Sequence, residues 1–230
     1  HYFIPGKTPW ARNQMIAREA DALMAVSSLL MSRVAPYRGE GKISRIVPNG
    51  VDLSLVPEKT DNVPRAVISV GTLKARKCMD RTLEAFARLA SEYPDARLTI
   101  VGIGEMEAQL KSRIAELGLE SRVAMTGGLP HEQVIARMAE SDLFVLPSWG
   151  EGYGIVYIEA MAAGCISVGA IGEGIEDTIT DGENGFLVPA DDPEAIVAVI
   201  RSCMEDPQRA AVIAENGRKT ALALTWPHNA

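Results

Sequence analysis

From residue 66 to residue 204, short and largely apolar runs alternate with longer stretches whose apolar residues recur every three or four positions. The runs Ala66–Val70, Leu98–Val101, Val123–Thr126, Leu143–Leu146, Cys165–Val168 and Gly185–Val188 predict strands buried on both faces. The longer stretches predict helices over 79–92, 105–117, 131–140 and 155–163, a short helix over 174–179, and a pair over 192–204 and 207–223. Gly118 and Gly164 stand just past two of these helices as stop signals. Such alternation predicts a doubly wound α/β domain over about 63–210, its parallel sheet covered by helices on both faces.

The region before it has another rhythm. Met15, Ile16, Ala20, Leu23, Met24, Val26, Leu29 and Leu30 recur at helical spacing across 13–34. Ala22–Val26 is nevertheless continuously apolar, so helix, short strand, helix is preferred over one long helix. Ser44–Pro48 predicts a short strand, Asn49-Gly50 a turn, and Asn62–Arg65 a polar linker containing Pro64. The chain opens at His1 without an initiator Met and stops just past a helical pattern, so a piece of a longer protein is expected.

Charge and composition narrow the function. The net charge is -7, from 23 basic and 30 acidic residues, which removes the basic footprint of a nucleic-acid binder. Phosphate remains possible through backbone amides and a few placed cations. Cys78, Cys165 and Cys203 form no C-x-x-C pair, which argues for a reducing compartment and against a disulfide framework or a zinc site. His1, His131 and His228 are isolated in sequence and lack metal-ligand spacing. No apolar run approaches the ~20 residues of a membrane span, and no signal peptide is visible.

In a doubly wound fold, ligands sit beyond the carboxyl ends of the strands. After Leu143–Leu146 comes Pro147-Ser148-Trp149-Gly150-Glu151-Gly152-Tyr153-Gly154, and a helix begins at Ile155. Glycines permit close approach, and helix-start amides attract anions. Glu151 lies in this loop and Glu159 eight positions on, inside the helix. Amides for phosphate beside carboxylates for hydroxyls suit a nucleotide sugar. Taken singly, Glu151 would also serve as a helix cap and Glu159 as a solvated helix residue. After Ala66–Val70, the loop Gly71-Thr72-Leu73-Lys74-Ala75-Arg76-Lys77-Cys78 is basic, which alone would also describe a solvated turn.

The run from Pro147 to Gly164 resembles the two-glutamate motif of glycosyltransferase family 4 (group 1), with seven residues between Glu151 and Glu159 and Glu159-Ala160-Met161-Ala162 around the second. Asn49-Gly50-Val51-Asp52, Gly102-Ile103-Gly104, and Glu176 with Thr180–Val188 are similar to its other segments, and the likeness covers roughly residues 20–225. It implies the C-terminal, donor-binding half of a retaining, metal-independent enzyme of the two-domain GT-B fold. Residues 1–62 would then be the tail of an N-terminal domain plus linker, 63–210 a Rossmann-like nucleotide-sugar domain, and 211–230 a truncated C-terminal helix.

The resemblance also implies roles. Glu159 would accept hydrogen bonds from the donor ribose and Glu151 would contact the sugar. Amides of Gly152, Tyr153, Gly154 and Ile155 would approach sugar and diphosphate. Lys77 and Arg76 would neutralise the diphosphate, while Gly71, Thr72, Gly102 and Gly127 would line the donor, Gly127 near the base with Met125. The sequence departs from the pattern at Thr72, where Arg is usual, at Cys78, where Gly is usual, and at Ile166, where Pro is frequent. No cofactor beyond the donor substrate is implied. The acceptor would be a saccharide or lipid-linked molecule held mainly by a domain outside this chain, so the chain alone would turn over poorly. The expected location is cytoplasmic, with peripheral contact at the inner membrane face. A nucleotide-sugar epimerase of the same fold and a non-catalytic nucleotide-sugar sensor are the alternatives.

Overall fold

The structure, a computed structural model, describes residues 9–57 and 65–225. His1, His228 and most of the expected linker at 62–65 lie outside the described residues.

Six strands form the main sheet: β3 (Ala66–Val70), β4 (Arg97–Val101), β5 (Val123–Gly127), β6 (Leu143–Val145), β7 (Ile166–Ala170) and β8 (Phe186–Val188). They run parallel in the order β5-β4-β3-β6-β7-β8. The chain builds outward from β3 in one direction, then returns and builds outward from β6 in the other. β3 and β6 are neighbours, with Val67 opposite Leu143 and Ile68 opposite Phe144. Their carboxyl ends therefore flank the switch point, where crossover connections diverge and leave a crevice.

Helices α3 (Met79–Leu89), α4 (Glu107–Glu116), α5 (His131–Ala139), α6 (Ile155–Ala162), α7 (Pro193–Glu205) and α8 (Pro207–Ala223) accompany the sheet. Each turns an apolar stripe inward. In α3 the buried residues Met79, Thr82, Leu83, Phe86 and Leu89 follow the helical repeat, with Ala85 buried beside them. α6 buries residues nearly all round, including Tyr157, Ile158, Ala160, Met161 and Ala162, because α5 and α8 pack on it as well as the sheet. Asp206 ends α7 and caps α8, accepting from the Arg209 amide, and Pro207 follows at the first helical position.

The preceding segment is α1 (Pro9–Glu19), β1 (Ala22–Ala25), α2 (Ser28–Val34) and β2 (Ile43–Ile46). Helix, strand, helix is what forms, and β1 pairs with β2 in a separate two-stranded parallel sheet. Val51 then bridges to Thr225, its amide 2.8 Å from the Leu224 carbonyl, so the chain after β2 is tied to the end of α8.

Several boundaries differ from expectation, and three of them bear on the architecture. The helix expected over 174–179 is a 3₁₀ turn, Gly174–Asp177, since Gly174 is locked against another loop. The helix expected over 105–117 starts at Glu107. The expected division at 210/211 falls inside α8, a continuous helix that buries Ala210, Ile213, Gly217 and Ala221.

Candidate functional site

The loops after β3 and β6 meet because their strands are paired. Lys77 and Arg76 come from the first loop and Glu151 from the second. Lys77 Nζ contacts Glu151 Oε2, and Arg76 Nη1 lies 3.6 Å from the same oxygen. Lys77 and Glu151 are buried, at 8% and 7% exposure. Desolvating these charges is costly unless they are paired. Glu151 is therefore an internal counter-ion to two cations at the switch point, and not a helix cap; that place belongs to Gly154.

The β6–α6 loop is held from several sides. The Glu173 carboxylate accepts from the amides of Gly150 (2.8 Å) and Glu151 (2.6 Å). The Ser27 hydroxyl donates to the Gly152 carbonyl at 2.5 Å. Tyr157, wholly buried, donates its hydroxyl proton to the Leu146 carbonyl and so accepts from Ser148 at 3.1 Å. Burial pushes the Tyr157 phenol well above its ordinary range, and Phe144 meets its ring edge-on at 5.3 Å. Glu173, Ser27 and Tyr157 were not foreseen as site residues. Ser27 and Glu173 sit in a helix cap and an ordinary polar turn, and no local pattern marks their partners.

Gly154 has φ 78, and a Cβ there would lie 2.5 Å from the Tyr157 ring. It turns the chain sharply into α6, whose first amides have no acceptor within the helix. Ile155 and Val156 thus present amides at the end of β6 with the positive end of the helix dipole behind them. Tyr153 turns its side chain away from the loop and into the fold. Its ring is buried and its hydroxyl donates to the Asn49 carbonyl at 3.5 Å, so its amide alone remains a candidate contact.

Backbone hydrogen bonds tie the loops that carry Gly71, Gly102 and Gly127 to neighbouring strand ends. The Gly71 amide donates to Val101 (3.0 Å) and the Gly102 amide to Gly127 (2.8 Å). Gly102 is so close to the neighbouring loop that a Cβ would sit 1.8 Å from the Gly71 carbonyl oxygen. Thr72 is exposed in the first loop, beside Leu73, which anchors that loop in the core.

Cys78 has φ 50 and ψ 32, the left-handed region, where it is the sole non-glycine among the described residues. That conformation costs an L-residue about 1–2 kcal/mol. Burial pushes its thiol up to about 11, so it stays protonated and inert at neutral pH. Cys78→Gly is expected to be neutral to mildly stabilising, because relief of strain offsets the lost thiol burial. Cys78→Val, β-branched, is expected to unfold at least roughly 2 kcal/mol more easily than Cys78→Gly. Urea unfolding of the two variants checks the order, and equal midpoints would show that the backbone is not strained there.

The histidines require a correction. His131 is isolated in sequence but not in space: its Nε2 lies 2.8 Å from Glu159 Oε1. Glu159 is accordingly neither solvated nor alone; its side chain is 13% exposed. Among the described residues, no group of three or more His, Cys, Asp and Glu is arranged to hold a metal ion, and no helix is long and apolar enough to cross a membrane.

With this geometry in view, likeness to known proteins becomes informative. A phosphatidylinositol monomannoside mannosyltransferase described as GDP-mannose-dependent and alpha-(1-6), from Mycolicibacterium smegmatis, is 32% identical over 93% of this chain, which spans 61% of that protein's length. A putative colanic acid biosynthesis glycosyltransferase of Escherichia coli is 30% identical over 80% of the chain and 47% of its own length. Among solved structures, Anabaena Alr3699/HepE in complex with UDP-glucose superposes with a TM-score of 0.80 at 26% identity, over 93% of this chain and 62% of that one. Sucrose-phosphate synthase from Thermosynechococcus elongatus shares the fold with a TM-score of 0.83 at 23% identity, over 99% of this chain and 62% of that one. Residues 56–220 match the family described as Glycosyl transferases group 1, and the chain belongs to that family of glycosyltransferases.

Proposed function

We propose that this chain is the donor-binding part of a retaining glycosyltransferase that moves a hexosyl group from a nucleoside-diphosphate sugar to a saccharide or lipid-linked acceptor. The observation that supports it best is the buried Glu151 shared by Lys77 and Arg76 at the switch point of the sheet. Two cations beside a helix N-terminus suit a diphosphate, and carboxylates suit the hydroxyls on either side of it.

In this scheme the bond from the anomeric carbon to the diphosphate oxygen breaks, and its electron pair leaves with the diphosphate. Lys77, Arg76 and the amides at Ile155 and Val156 stabilise that growing charge, which preorganised groups do most effectively. No metal ion is assigned to this step. Glu151 accepts from sugar hydroxyls and sets the angle of the anomeric carbon, while Glu159 accepts from the ribose. The acceptor hydroxyl attacks on the face from which the diphosphate departs, and its proton passes to the departing diphosphate oxygen. Acceptor binding is assigned to protein beyond this chain, in keeping with the share of the relatives' length that it spans. The chain by itself would bind donor and turn over slowly or not at all.

The relatives do not agree on a nucleotide: GDP-mannose is named for one, and UDP-glucose accompanies a solved structure. Thermal unfolding of the chain with UDP, GDP, ADP and their sugars tests the proposal. A ligand at ~100 times its Kd adds about 2.7 kcal/mol, or a rise of roughly 5–10 °C for a chain of this size. One base family is expected to give that shift, with Glu159→Ala shrinking it. No shift with any of them overturns donor binding by this chain.

A further inference from the structure

His131 has no part in the scheme above, yet it touches one of its assigned residues. It is the first residue of α5, a helix anchored by buried Val134, Ile135 and Met138, and α5 packs on α6. The ring spans the gap between the two helices and meets Glu159 at 2.8 Å, 28 positions away in sequence. A carboxylate only accepts, so Nε2 must be the donor.

The pairing makes little sense as a stabilising device. With His131 54% exposed, such contacts contribute almost nothing to the fold. It makes sense as preorganisation. A glutamate has three torsions to freeze, and freezing them before a ligand arrives lowers the entropic cost of binding. With Oε1 engaged by the ring, Oε2 still has lone pairs with which to accept from another donor.

We propose that His131 is a positioning residue for ribose recognition. It holds the Glu159 carboxylate so that its remaining lone pairs face the vicinal hydroxyls of the donor ribose. Selection of ribose therefore depends on a residue outside the two-glutamate segment. This rests on the assignment of Glu159 to the ribose made above, and the test separates the two.

The experiment is calorimetric titration of the chain with UDP, GDP, 2′-deoxy-UDP and 2′-deoxy-GDP, using wild type, His131→Ala, His131→Gln and Glu159→Ala. A hydrogen bond to a charged group corresponds to about tenfold or more in affinity, so wild type should prefer the ribonucleotide by roughly that factor. His131→Ala should lose most of the preference. His131→Gln should recover it, since its amide nitrogen occupies the place of Nε2. Melting temperatures of the two His131 variants should stay near wild type. If Glu159→Ala abolishes the preference and His131→Ala keeps it, the positioning role is overturned and the ribose assignment stands. If Glu159→Ala keeps it too, both are overturned. A loss that Gln does not recover also overturns the role, since any merely structural disturbance at α5 would produce it.

Discussion

Glu151→Ala is expected to destabilise the chain by about 3–5 kcal/mol, the usual cost of removing one partner from a buried ion pair. The reason is the neighbour left behind. Lys77 is 8% exposed, and its ammonium meets the carboxylate directly. Without it, the ammonium must stay charged in a poorly solvated place, move out, or lose its proton. Arg76, 3.6 Å from the same oxygen, adds to the penalty. At roughly 2–4 °C per kcal/mol for a chain of this size, the melting temperature should fall by about 6 °C or more. Glu151→Gln keeps the shape and should fall less. Adding Lys77→Met to Glu151→Ala should recover much of the loss, since an apolar chain of similar length needs no partner. Both measurements are thermal unfolding. A fall under about 2 °C for Glu151→Ala would mean that Lys77 already reaches water, and that the pair is not what holds the two loops together.

Gly102→Ala should be the most disruptive single methyl group in the domain. Its Cβ would lie 1.8 Å from the Gly71 carbonyl oxygen and 3.0 Å from the Gly71 carbonyl carbon, both rigid backbone. The residue also has φ 146, which side chains rarely adopt. Overpacking commonly costs about 1–3 kcal/mol. Here backbone must move against backbone, so about 3 kcal/mol or more is expected. The shift would travel to the Lys77 loop, because the Gly71 amide is bonded to Val101 and the Leu73 amide to Ile103. Nucleotide affinity should therefore drop by at least tenfold along with stability. Urea unfolding and nucleotide titration of the variant check both parts. Normal stability with weakened binding would instead make Gly102 a direct ligand contact, which is the role its sequence position first suggested.

Much of this architecture was legible before any coordinates. The six strand runs and most helix spans follow from periodicity and from Gly and Pro punctuation, and these are local properties. Buried parallel strands must be apolar on both faces. A run such as Leu143–Leu146, which alone would fit a strand or a buried helix segment, reads as a strand once similar short runs recur between amphipathic stretches. The same reasoning separated β1 from the helices around it. The loops that carry the candidate site could be singled out too, because strand ends at a switch point are where such folds bind ligands.

What each loop residue does was decided by tertiary contact. Glu151 and Lys77 are 74 positions apart, and nothing near either one says that they share a buried site. Glu173 reaches the Glu151 amide across 22 positions, and Ser27 reaches the Gly152 carbonyl across 125. His131 looked isolated because isolation along a chain is not isolation in space. Gly102, which the resemblance sets against the donor, also meets a packing requirement, and only the assembled loops show how near Gly71 comes. The chain alone determined which elements form and which ends of them matter, because periodicity and turn chemistry act over a few residues. Only the tertiary structure decided which charges neutralise one another and which backbone groups are already taken, because those depend on distances between elements that the order of residues does not contain.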